Sequence, residues 1–305
     1  MTEAKEPDFS AMRDDIELRH GVYFLFASML FFQLVNWILK SKGPPKTLKE
    51  DEWKWRNLYV SWVHALIISI WCSVSLLAYP ELFQNLLQHI NYFTYFCVCL
   101  ATGYFFYDFL DLIVNNKLFK MWEVSLHHIA VGGMFFYNVM LRGMIGFNVV
   151  AIAVEINSLF LHWRKLLQMV QTPYQSRHYL LIKYLNLLSF IVFRFGVLAL
   201  ITSSIFVWSH KVTTHYLVLI SLSMLFMDVL NAILFWRLFK SDVLRGPSGG
   251  QVHPLVTLQR DWSIILWGVP PSSQSHHRNG YTKVEAAAPS ANNNVPEHVK
   301  GRKED

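Results

Sequence analysis

Seven stretches of this chain are apolar over lengths that reach, or nearly reach, across a hydrocarbon layer about 30 Å thick. They lie near residues 20–39, 58–79, 91–113, 127–141, 144–161, 180–207 and 215–239. Inside a bilayer no water is at hand for backbone amides, so each stretch must bond its own N–H and C=O groups, and an α-helix does so within one segment. The expected fold is therefore an all-α polytopic membrane protein of about seven transmembrane helices. Composition agrees, since 53% of the 305 residues are hydrophobic and 15% aromatic. The fourth and fifth stretches are the shortest, and only Arg142-Gly143 separates them, which predicts a tight helical hairpin. No cleavage-site pattern follows the first stretch, and an acidic tail precedes it (Glu3, Glu6, Asp8, Asp14, Asp15, Glu17), so it reads as an uncleaved span.

Basic residues assign the sides. Lys40, Lys42, Lys46, Lys49, Lys54 and Arg56 follow the first stretch, Lys117 and Lys120 the third. Arg164, Lys165 and Arg177 follow the fifth, and Arg237, Lys240 and Arg245 the seventh. The intervening loops hold only Arg142 and Lys211, and the loop at 80–90 holds none. This alternation predicts an N-terminus outside and a C-terminus in the cytosol. It also accounts for the formal charge of +6 without a nucleic-acid partner. Cys72, Cys97 and Cys99 all fall inside apolar stretches and read as small core residues rather than a disulfide framework.

Ionisable side chains inside such stretches are expensive and usually face a cavity or a partner. Tyr104, Asp108 and Asp111 follow i, i+4, i+7 spacing and share one helix face. His127 and His128 open the next stretch; neighbours on a helix diverge by about 100°, so they do not grip one metal ion together, and no metal site is expected. One ring is free to serve as base or nucleophile while a carboxylate holds the other. Asn148, Ile152, Glu155, Ser158 and His162 form a largely polar stripe, with Glu155 the expected partner of a histidine. His64 and Lys183 stand at a similar depth, which points to one polar chamber in the half nearer the basic loops. Arg194 and Asp228 lie at matching heights in the last two stretches and predict a structural ion pair.

From these residues the chain resembles the TLC-domain superfamily of polytopic membrane proteins, which includes ceramide synthases and the TRAM translocon-associated protein. The likeness runs over about 50–242. It rests on Trp53-Lys54-Trp55-Arg56-Asn57 with Ser61 and His64, then Gly103-Tyr104 with Asp108 and Asp111. It continues through Trp122-Glu123 ahead of His127-His128, then Glu155, Arg194 and Asp228. Within the superfamily the chain most resembles the branch of TLC domain-containing proteins one and two, associated with membrane fluidity. That branch implies a regulator of phospholipid acyl composition at the plasma membrane, with the endoplasmic reticulum as the second location. Its implied role is to limit incorporation of long-chain polyunsaturated fatty acids, with membrane lipids or fatty acyl chains as its partners.

Likeness to ceramide synthases instead implies an acyltransferase using the paired histidines, with acyl-CoA as substrate and a cytosol-facing mouth near Lys117, Lys120 and Lys183. Those enzymes follow their histidines with an HDxxD-type element. Here the stretch reads Val154-Glu155-Ile156-Asn157-Ser158, so one acidic position survives, and only His127 and His128 match the catalytic pattern. A seven-span receptor fits the span count, but no Asp-Arg-type motif ends the third stretch and no Asn-Pro motif marks the seventh.

The remaining layout is an acidic tail at 1–19, a first helix and basic loop at 20–49, and a C-terminal tail at 243–305. That tail is expected to be largely disordered. Within it, the apolar segment at 255–268 is too short to span and carries Trp262 and Trp267, as an interfacial anchor would.

Overall fold

A computed structural model of the chain describes residues 13–48, 51–244 and 252–268, and the predicted disorder of the last residues lies outside them. Seven helical segments are long and apolar enough to cross a membrane. The first four are α1 (Leu18–Lys42), α2 (Glu52–Ala78), α3 (Tyr92–Val114) and α4 (Trp122–Leu141). The fifth is divided into α5 (Ile145–Ile152) and α6 (Glu155–Met169). In the sixth, α7 (Arg177–Ser189) passes through a π-helical turn at Phe190–Phe195 into α8 (Gly196–Trp208). The seventh is α9 (Thr214–Asp242), and α10 (Pro254–Trp267) follows it. No strand occurs among the described residues.

Several helix starts carry side-chain caps that satisfy otherwise orphaned amides. Asp51 caps α2, Ser176 caps α7 and Thr213 caps α9. Asn91 and Thr94 form a reciprocal capping box on α3. The predicted hairpin between the fourth and fifth spans turns through Arg142 and Met144, both left-handed with φ of 51° and 58°. Neither is glycine, so packing has to hold this turn. The long loop before α3 supplies that support: the amides of Met144 and Phe147 donate to the carbonyls of Leu87 and Leu86, at 3.1 and 3.2 Å. Gly146 permits the approach, because a Cβ there would sit 2.7 Å from the Leu86 carbonyl oxygen.

Helix α3 is the centre of the bundle and packs against α1, α2, α4 and α5. Its Tyr95, Cys97, Val98, Cys99 and Ala101 are fully buried. The three cysteines are free and buried. Small residues let α1 lie close on α3: a Cβ on Gly103 would meet the Leu25 carbonyl oxygen at 2.5 Å, and Ser28 Oγ donates to the Leu100 carbonyl at 2.8 Å. The outward faces of α1 and α9 instead present Leu30, Trp37, Leu222 and Leu225, the surface a lipid-embedded bundle offers.

Three local departures from simple helical reading position polar groups. The fifth span tightens at Ala153 and Val154, whose amides bond three residues back rather than four. The π turn at Phe190–Phe195 carries Arg194 into the interior, where it is 8% exposed. Finally, α10 docks on α7. Asp261 is fully buried and accepts from Lys183 Nζ at 2.5 Å and from the Tyr184 hydroxyl at 3.0 Å. Tyr184 stacks on Trp262, and the Arg177 guanidinium donates to the Ile264 carbonyl at 3.1 Å. Lys183, expected at the mouth of a chamber, is instead an anchor for this helix.

Candidate functional site

The tandem histidines part as their helical offset requires, with ring centroids 5.4 Å apart and planes at 50°. His128 turns toward α2 and α3, and its Nδ1 lies 3.0 Å from Asp108 Oδ2. Asn57 on α2 donates to the other oxygen of Asp108 at 2.6 Å and to Asp111 at 3.3 Å. Trp53 Nε1 donates to Asp111 at 2.9 Å, and one turn beyond Asp111 the Asn115 side-chain amide also donates to it, at 3.0 Å. His64 stacks face to face on Tyr104, with 3.7 Å between centroids and 9° between planes. The structure thus brings His64, Tyr104, Asp108, Asp111 and His128 into one clamp between α2, α3 and α4. Asp108 and His128 are 2% and 7% exposed, and neither lines the cavity described below.

His127 faces the other way. Its Nδ1 is 3.2 Å from the Met227 sulfur, and the ring forms part of the wall of a cavity between α3, α4, α5, α8 and α9. Glu155 lies on the same wall, near the Arg194 charge. Among the described residues it forms no ion pair with a histidine, contrary to expectation, because Asp108 occupies His128 and the break before α6 sets Glu155 toward the cavity.

The predicted Arg194–Asp228 pair is also corrected. Arg194 donates to Asn157 Oδ1 at 2.7 Å, Asn231 Oδ1 at 2.7 Å and Ser158 Oγ at 2.8 Å. Asn157 in turn donates to the Asn186 carbonyl at 2.9 Å and to Ser189 Oγ at 2.9 Å. Asp228 accepts from Thr202 at 3.2 Å. Matching height did not determine contact: the π turn re-aims Arg194, and Asn231, three residues beyond Asp228, meets it. In the sequence Asn57 stood only as part of a motif and Asn148 only as part of a polar stripe, and partners were expected of the ionisable groups alone. Asn57, Asn157 and Asn231 nevertheless organise both clusters, and an asparagine deep in an apolar stretch is itself a signal of a buried polar partner.

The cavity holds about 130 Å³, space for on the order of ten water- or methylene-sized groups. Phe105, Met134, Ile201 and Met224 make its sides apolar. His127, Glu155 and Met227 line one end, and Asn138, Asn148, Trp208 and Tyr216 the other. Along α4, residues 127 and 138 are ~16 Å apart at the helical rise. The end at Asn138 lies toward the loops poor in lysine and arginine, not toward the basic ones. On the basic side Lys117 is bound at 2.8 Å to Asp51, whose carboxyl it holds below the usual range. The elongated shape and apolar sides suit one hydrocarbon chain. Among the described residues no three His, Cys, Asp or Glu side chains converge as a metal site.

Residues 54–240 match the family model of the TLC domain. TLC domain-containing protein 2 of Danio rerio is 34% identical over 230 residues, covering 75% of this chain and 93% of that protein. TLC domain-containing protein 1 of Rattus norvegicus is 28% identical over 238 residues, covering 76% and 95%. TLC domain-containing protein 2 of Homo sapiens is 28% identical over 226 residues, covering 74% and 85%. No solved structure matches the chain.

Proposed function

The chain belongs to the TLC-domain family, and from that premise we propose that this multi-pass membrane protein regulates the acyl composition of membrane phospholipids. It limits the incorporation of long-chain polyunsaturated fatty acids, and so membrane fluidity, at the plasma membrane. The observation that carries this reading is the elongated apolar cavity inside the bundle, shaped for one acyl chain and walled at one end by His127 and Glu155. A protein that binds acyl chains selectively withdraws them from incorporation in proportion to its affinity.

A second reading, an acyl-CoA-dependent acyltransferase, is favoured by one observation: His127 stands on the cavity wall, where a base or nucleophile would have to be. In that reaction the imidazole would take up the acyl group from the thioester, and free CoA would leave as the thiol.

Phospholipid acyl profiling separates the two. Cells lacking the protein are rescued with wild type, His127→Ala or His127→Phe at matched expression. A regulator predicts that wild type and His127→Ala both restore the polyunsaturated fraction, whereas His127→Phe, which fills the end of the cavity, does not. An acyltransferase predicts that both variants fail. A profile that is the same with and without the protein overturns both readings, and surface biotinylation tests the location.

A further inference from the structure

At the end of the cavity away from His127, two asparagines face each other across the α4–α5 hairpin. Asn138 is 2% exposed and Asn148 4%, and both line the cavity. Asn138 Nδ2 lies within hydrogen-bond reach of Asn148 Oδ1, at 2.9 Å, and of the Tyr216 hydroxyl, at 3.2 Å. Asn138 Oδ1 and Asn148 Nδ2 have no hydrogen-bond partner within the protein. One acceptor and one donor thus stand buried and unmatched on two residues of an otherwise apolar passage. Burying such groups costs on the order of 1–3 kcal/mol each, so the arrangement calls for a ligand that supplies both complements.

This neck opens into a polar vestibule that shares Leu87, Asn138, Met144, Val212 and Tyr216 with the cavity. The vestibule carries Arg13, Arg142 and Lys211 against one acid, Asp14. Arg142 donates to the Ile16 carbonyl at 2.7 Å, which keeps its guanidinium at the rim. Lys211 is exposed and forms no ion pair among the described residues. Passing inward, a ligand meets net positive charge, then a donor–acceptor pair, then a narrow apolar tube.

We propose that the neck and vestibule are the headgroup site of a single-chain anionic lipid of the lysophospholipid class, which enters tail first from the face opposite the basic loops. The inference rests on the acyl-chain reading of the cavity and adds to it the headgroup and the direction of entry. A glycerol hydroxyl donates to Asn138 Oδ1 and accepts from Asn148 Nδ2 at once; an ionised fatty acid has no proton to donate. The phosphate then meets Arg142 and Lys211, and a cavity with space for on the order of ten methylene-sized groups takes one chain rather than two. In this pose the methyl end of the chain points toward His127, and the ester carbonyl stays near the neck. The site holds a lipid rather than transferring its acyl group.

The test measures retention of 1-oleoyl-lysophosphatidate, 1-oleoylglycerol and oleate by the purified full-length protein in detergent, using native mass spectrometry. Wild type should hold lysophosphatidate most tightly. Lys211→Glu, on an exposed turn, should weaken lysophosphatidate about tenfold, equivalent to about 1.4 kcal/mol, and leave 1-oleoylglycerol unchanged. Asn148→Leu should weaken both glycerol lipids and leave oleate unchanged. Lysophosphatidate binding that ignores Lys211→Glu, or oleate binding that equals it in wild type, overturns the headgroup assignment alone. Failure of wild type to retain any of the three lipids overturns the acyl-chain reading as well.

Discussion

His127 and His128 are neighbours in the chain and belong to different environments, one on a cavity wall and one locked against Asp108. Their substitutions should therefore separate. Asp108→Ala removes the nearer of two acceptors of Asn57 Nδ2 and the carboxylate beside His128, and should lower stability by ~2–4 kcal/mol. His127→Ala removes one side of a cavity and should change it by under ~1 kcal/mol. Melting temperatures of the two variants in one detergent compare them directly. In the loop between α2 and α3, burial holds the His89 imidazole below its ordinary range. The folded state then binds fewer protons than the unfolded chain, so stability is greatest at higher pH. It falls as pH drops through about 6.5, where the unfolded imidazole protonates, and continues falling to the folded value. Melting from pH 7.5 to 5.5 should fall less steeply in His89→Gln than in wild type. At this scale the sequence marks which side chains are costly in lipid. It does not say which will meet, because a rotation of one helix by a single residue turns a side chain through about 100°.

The docking of α10 shows how an element can be legible in kind and not in place. Trp262 and Trp267 and the short apolar run mark a segment that cannot span, and both indoles remain largely exposed, at 45% and 75%. What seats the helix is Asp261 on Lys183, a pair 78 residues apart in the chain, and no local pattern announces it. Removing one partner leaves a buried charge, so Asp261→Asn should loosen α10 by ~3–5 kcal/mol, while Lys183→Met with Asp261→Leu should recover most of that loss. Hydrogen exchange across residues 254–267 reads the difference; equal protection in all three proteins would assign the docking to apolar contacts instead. The divided fifth span and the π turn of the sixth belong to the same class. Both depart from regular hydrogen bonding over a few residues, and each decides where a polar group points.

At the scale of the whole molecule, the third span alone separates the loops at 80–90 and 117–120 and so places them on opposite faces. The charge alternation predicts that the first is extracellular and the second cytosolic. In intact cells an impermeant thiol reagent should label Gln84→Cys and leave Lys120→Cys unlabelled until the membrane is opened; the native cysteines are buried and silent. The opposite pattern would invert the protein and place the proposed lipid entrance in the cytosolic leaflet.

Span number, helical class and family were determined by the sequence alone, since each apolar stretch must satisfy its own backbone whatever surrounds it. The residues of the clamp were legible too, as ionisable groups where lipid tolerates few. Only the tertiary structure decided that Asp108 rather than Glu155 holds a histidine, that Arg194 meets Asn157, Ser158 and Asn231 instead of Asp228, and that the cavity meets a vestibule away from the basic loops. Those outcomes depend on how seven helices rotate and tilt against one another. That is a matter of side-chain packing between segments far apart in the chain, and hydropathy, which is local, carries no record of it.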